Sequence, residues 1–147
     1  MKIAIKLAKK YKLKLALIDQ DINITLKNLS KALTFKVIFK LIKDSIKGLI
    51  TRKKIVEPFD LKKVPPNETI EKILKIVEKE YPSVYKALIE DRNDVMAKSL
   101  NKILTLNPNK KIVAIVGAGH EKAIVNILKG IKAHNYSYSF TSSNIWL

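Results

Sequence analysis

Few side chains in this sequence can do chemistry, and the stretch KKIVAIVGAGHEKAIVNIL, Lys110 to Leu128, concentrates several of them. It places two of the chain's four glycines and one of its two histidines between an apolar strand-like run and a helix-like run. A buried parallel strand that turns through glycines into a helix presents backbone N–H groups and the positive helix end at the carboxyl edge of a sheet, where α/β proteins usually bind ligands. Gly117 and Gly119 are thus candidates for a tight turn and close ligand approach, and His120 falls at or just before the first helical turn. The dipole there favours neutral imidazole, which suits a metal ligand or a general base. A histidine that merely caps the helix is the other reading. The longer dinucleotide fingerprint is absent, since Ala123 is the next small residue.

Arg92 is the second candidate. The sequence predicts a long helix from about Pro82 to about Leu106, and with about 100° per residue Tyr85, Leu88, Met96, Ser99, Ile103 and Leu106 share a face with Arg92. A guanidinium in an apolar stripe keeps its charge and needs carboxylates or carbonyls around it. Two readings stay open: an internal pair with Asp19 or Asp21, or a site in which Arg92 holds a substrate carboxylate, an oxyanion or a catalytic acid. Only Arg52 and Arg92 among 29 basic residues are arginine, so the planar fork is used where lysine is the habitual cation.

These residues must be positioned by a small set of elements. KIAIKLAKKY at 2–11 predicts a short helix. LKLALID at 13–19 and KIVAIV at 111–116 predict strands apolar on both faces, as buried parallel strands are. INITLKNLSKAL predicts an amphipathic helix with Ile22, Leu26, Leu29 and Leu33 on one stripe. From Phe35 a second helix carries Lys36, Lys40, Lys43 and Lys47 on a narrow face and Phe35, Ile38, Phe39, Leu41, Ile42, Ile46 and Leu49 around the rest. An apolar arc this broad implies burial on two sides, or a surface for another chain or a lipid interface. TRKKIVEPFDLKKVPPNET predicts a loop and NETIEKILKIVEKEY a helix with acid in its first turn. The alternation in YSYSF predicts a strand in the tail. The expected fold is α/β: a central, mostly parallel sheet flanked by helices, in one domain over 1–147, with a basic helical pair inserted after the first strand at about 22–54.

Composition narrows the function classes. There is no cysteine, which removes a thiol nucleophile, a disulfide framework and a thiolate metal site, and fits a cytoplasmic place, peripheral to a membrane if attached to one. Lysines interrupt every apolar stretch before a membrane span is reached, and the basic start lacks the form of a signal peptide. The net charge is +16, and residues 1–54 carry 15 Lys/Arg against 3 Asp, which is +12. Such a field attracts an acidic partner, an anionic membrane or RNA, or it reflects a lysine-coated surface alone. Sequence-specific DNA reading is disfavoured by the near absence of arginine.

LALIDQDINITLKN at 15–28, LIEDRNDVMAKSL at 88–100 and IVAIVGAGHEKAIVNIL at 112–128, in this order, resemble the carboxyl-terminal part of the TraB/PrgY family, which is related to the Tiki proteins. The resemblance covers about residues 3–130, and an R-N-x-x-M-A helix followed by V-G-A-G-H is its most specific part. It implies an α/β fold in which two G-x-x-H turns converge with a glutamate and an arginine. In the Tiki relatives that constellation is a divalent-metal-dependent peptidase site, and the TraB/PrgY branch is associated with pheromone shutdown. Carried over residue by residue, the resemblance reaches Gly117, His120 and Arg92, with His120 as the metal ligand, for manganese, cobalt or zinc. It also reaches Asp19 and Asp21, between which this chain has Gln20. The first G-x-x-H turn, its glutamate and the membrane helices of many archaeal relatives have no counterpart here, so the resemblance implies an incomplete half of a hydrolase site. A polypeptide supplying the amino-terminal half, or a homo-oligomer, would complete it. The alternative is a non-catalytic regulatory protein that grips an acidic or anionic partner with its lysine-rich helices.

Overall fold

The protein is seen in a computed structural model that describes residues 2–51 and 65–131, with the side chains of 49–51 left aside. The expected loop around 52–64, the tail strand, Arg52 and His134 lie outside the described residues. Seven α-helices are described: α1 (Lys2–Lys10), α2 (Ile22–Ala32), α3 (Phe35–Thr51), α4 (Asn67–Glu80), α5 (Pro82–Tyr85), α6 (Asp91–Leu106) and α7 (Ala118–Gly130). A π-helical segment, Lys86–Glu90, joins α5 to α6.

Local chemistry accounts for several boundaries. Lys9 and Lys10 oppose the negative end of α1, and the helix closes with Leu13 N donating to Ala8 O at 2.8 Å around Lys12, whose φ is 52°. Asp21 caps α2 by accepting from Asn23 N at 2.7 Å. Pro82 stands at the start of α5, where a missing N–H costs nothing. The core lies between α6 and α7: Met96, Ala97 and Leu100 meet Ile124 and Leu128, with Ile18, Val116 and Ile127 packed against them.

The α/β expectation is overturned. No β-ladder occurs among the described residues; the regular structure there is helical throughout. The two runs expected as buried strands, 13–19 and 111–116, are non-helical and unpaired into any sheet, and Leu17 and Val113 are 95% and 79% exposed. The helical pair therefore follows a non-helical run and is not an insertion after a strand. An apolar run becomes a strand only where neighbours satisfy its backbone and helices cover its faces. Here a single inner residue of each run, Ile18 and Val116, reaches the core.

The helix faces also differ from their projections. In α2 the buried positions are Thr25 and Ala32, while Ile22 and Leu26 are exposed. Small side chains let α2 approach closely, with Ser83 Oγ donating to Ala32 O at 3.2 Å and Asn28 Nδ2 donating to Asp91 Oδ2 at 3.1 Å. The run from Pro82 to Leu106 is helical as expected, but the π segment turns more slowly per residue than an α-helix, so one angular projection cannot hold across it. The buried face of α6 is Asn93, Met96, Ala97 and Leu100, and Arg92 stands at its edge, not in the middle of the stripe.

Candidate functional site

Ile18 and Val116 anchor the ends of the two non-helical runs on one core, which brings Asp19 and the Gly117–His120 turn toward the start of α6. There the consecutive residues Arg92 and Asn93 reach one to each. Arg92 Nε and Nη2 donate to the two oxygens of Asp19 at 3.1 and 2.7 Å, and Nη1 donates to Leu88 O at 3.3 Å. Asp19 also accepts from Gln20 N at 2.8 Å. Asn93 Oδ1 lies 2.7 Å from Nδ1 of His120, and both residues are buried.

That contact fixes the imidazole. An amide oxygen only accepts, so with Oδ1 facing the ring Nδ1 carries the proton and the basic lone pair is on Nε2. Gly117 caps α7, and His120 N donates to Gly117 O at 2.9 Å, which places the ring in the first helical turn. Burial, and then the nearby Arg92 charge, push the His120 pKa below that of a free histidine; Asp19 pulls weakly the other way. The Arg92 hydrogen bonds hold the Asp19 carboxyl below the usual carboxylate range, and Asp19 in turn raises Arg92 further.

Arg92 and Asp19 are thus paired, which meets the internal-pair reading of Arg92, and the charges of both reach His120. Asp21 is not part of the group, since its carboxylate caps α2. Gly117 and Gly119 both have negative φ, so the turn does not use the left-handed freedom of glycine. A Cβ at Gly117 would meet the His120 ring at 3.5 Å, and one at Gly119 would meet Leu74 of α4 at 3.7 Å, ordinary contacts in both cases. Asn93 was not singled out by sequence reasoning, although it stands beside Arg92 in the R-N-x-x-M-A motif. An asparagine inside a helix, where it is a poor former, is the signal that could have found it.

The donor set does not make a metal centre by itself. Among the described residues no three of His, Asp and Glu stand together at ligand spacing, and Asp19 is committed to Arg92. A zinc-type site needs about three protein ligands. An open cleft of about 510 Å³ lies between α4 and α7, lined by Ile70, Leu74, Tyr85, Gly119 and Lys122 among others, but by none of Asp19, Arg92, Asn93 or His120.

A helical arrangement of the described residues, in which consecutive residues of α6 hold a bidentate Arg–Asp pair and a buried, amide-oriented histidine, is the class that fold and site define. Residues 1–139 match the TraB/PrgY/gumN family, and the chain belongs to that family. It is 36% identical over 140 residues to a protein of uncharacterized function from Methanocaldococcus jannaschii, a match covering 92% of this chain and 33% of the relative. The chain thus spans about a third of the length of that curated relative. No solved structure matches.

Proposed function

We propose that this chain supplies one part of a hydrolase site, of the metal-dependent peptidase type, which the amino-terminal half of the family's domain or a partner polypeptide completes. Its Nε2 lone pair on His120 would take a proton or a metal coordination position, and Arg92 would hold a developing or permanent negative charge. The reading is carried by the Asn93–His120 contact, which makes Nδ1 the donor and puts the basic lone pair on Nε2, with the Arg92 charge near enough to lower the His120 pKa. Arg92 has five N–H groups and uses three of them on Asp19 and Leu88, so two remain for an oxyanion or carboxylate. A divalent metal, when bound, supplies the polarising charge of such chemistry, and its other ligands would come from the completing polypeptide. That polypeptide would also cover the exposed apolar side chains of the two non-helical runs, Leu13, Leu15, Leu17, Val113 and Ile115.

The test is calorimetric titration with manganese, cobalt and zinc, on the chain alone and mixed with the part of the Methanocaldococcus jannaschii relative that it does not match. The mixture is expected to gain metal affinity at least tenfold over either component, and His120→Ala to lose the gain. Indistinguishable titrations for wild type and His120→Ala in the mixture would remove the metal role. A mixture with no gain and no complex would remove the completing partner.

A further inference from the structure

Helix α3 is docked by its polar side. Val37, Lys40, Asp44 and Gly48 are the half-buried positions. Lys40 Nζ donates to Glu80 Oε2 and to Glu80 O, both at 2.7 Å, and lies 5.0 Å from the Tyr81 ring centre. Tyr81 Oη donates to Asp44 Oδ2 at 2.8 Å. These contacts, far apart in sequence, fix the rotation of the helix. The apolar arc consequently points outward, with Phe35 93%, Phe39 71%, Ile46 54% and Ile42 53% exposed.

On a helical projection Phe39, Ile46, Phe35, Ile42 and Ile38 fall within about 100° of arc, and they extend over about 16 Å of helix. Lys36 and Lys43, both exposed, border the arc along its Phe39 edge. The one carboxylate in α3, Asp44, is turned inward and held by Tyr81. The outward side of α3 is therefore apolar with a cationic border along its Phe39 edge, and it lies within residues 1–54, which carry +12.

We propose that α3 lies on the surface of an anionic phospholipid bilayer, its axis in the membrane plane, with Phe35, Phe39, Ile42 and Ile46 at the boundary of head groups and acyl chains and Lys36 and Lys43 on lipid phosphates. The chemistry selects this occupant. RNA would engage the lysines but leave the arc in water. A second copy would bring two identical cationic borders together on chains of net charge +16 each. A bilayer satisfies both features at once, since amphipathic helices bind by buried apolar area together with attraction to anionic lipid. The helix lies on the membrane and does not cross it: no described helix is long and apolar enough to span one.

Flotation of the full chain with vesicles tests the proposal. Binding is expected to phosphatidylcholine vesicles containing about one third phosphatidylglycerol and not to phosphatidylcholine alone, and to weaken as salt rises. The double variants Phe39→Asp/Ile42→Asp and Lys36→Glu/Lys43→Glu should each lose at least tenfold in partitioning with unchanged helical circular dichroism, since all four positions are exposed. Equal binding to neutral and anionic vesicles, or a Phe39→Asp/Ile42→Asp chain that floats like wild type, overturns it. So does a chain that stays off vesicles while forming a dimer that Phe39→Asp dissociates, or while binding single-stranded RNA.

Discussion

Asn93 and His120, 27 positions apart, meet through an amide oxygen 2.7 Å from Nδ1, and each is almost wholly removed from solvent. The pair joins the start of α7 to α6 at the level of Arg92, so one helical step sets both the histidine tautomer and the position of the guanidinium. Asn93→Ala leaves the Nδ1 proton buried without an acceptor, which costs about 1–3 kcal/mol. Urea denaturation should show that loss, and imidazole nitrogen spectra should show the Nε2 lone-pair form giving way to a mixture of tautomers. Unchanged nitrogen shifts in Asn93→Ala would mean that the amide does not set the tautomer.

Two groups at the site make stability rise with pH, for different reasons. Asp19 has a folded pKa below its ordinary 3.8, so its contribution is present above that value and is lost as pH falls through the lower folded value. His120 has a folded pKa below 6.5, so stability is full above pH 6.5 and declines as pH falls from there through the folded value. The acid side of a melting-temperature profile should therefore show two steps. His120→Gln should remove the upper one, and Asp19→Asn should shrink the lower one, to which Glu71 and Glu80, held low by Lys122 and Lys40, also contribute. The Asp19 step will be small, about 0.2–1 kcal/mol, because its side chain is 49% exposed and water screens the pair.

Gly119 tests whether the turn needs glycine. Its φ is negative, and an added methyl would reach Leu74 at 3.7 Å without clash. Gly119→Ala should leave His120 in place and stabilise α7 by up to about 1 kcal/mol, as alanine usually does over glycine inside a helix. A measurable loss of stability in Gly119→Ala would show that the backbone must move through conformations alanine resists.

The sequence carried most of the helices and the Arg92–Asp19 pair but not the sheet. Helices α1, α2 and α4 are written in local periodicity, so their limits are legible to within about a residue, whereas α7 begins at Ala118, ahead of the run EKAIVNILKGIKA. The strand reading failed because LKLALID and KIVAIV specify only that something apolar must cover them, and the covering partner is not encoded in the run itself. Arg92 was found through its rarity and Asp19 through charge need. The rotation of α6 was missed because the π segment at Lys86–Glu90 has no periodic signature. Asp21 drew attention as a second acid, but a carboxylate two residues before a helical N–H is satisfied locally and does not need an arginine.

Tyr81 and Asp44 offer the last check, since their contact and the Lys40–Glu80 pair orient α3. Burial first, and then the hydrogen bond to Asp44, push the Tyr81 hydroxyl up to about 12. A raised folded pKa means that the contribution is full below the ordinary value of 10.0 and is lost as pH rises through about 12. Tyrosinate absorbance should show ionisation delayed well above 10.0, and Tyr81→Phe should remove its latest part while the raised Tyr85 hydroxyl keeps its own upward shift. The same substitution removes a donor that Asp44 accepts from, at a cost of about 0.5–1.5 kcal/mol, and loosens α3 at its middle. Hydrogen exchange should therefore quicken along α3 in Tyr81→Phe while the Met96–Ile124 core keeps its protection. Equal acceleration in both would show that α3 and the core open as one unit, and that the polar contacts of α3 are not a separate hinge.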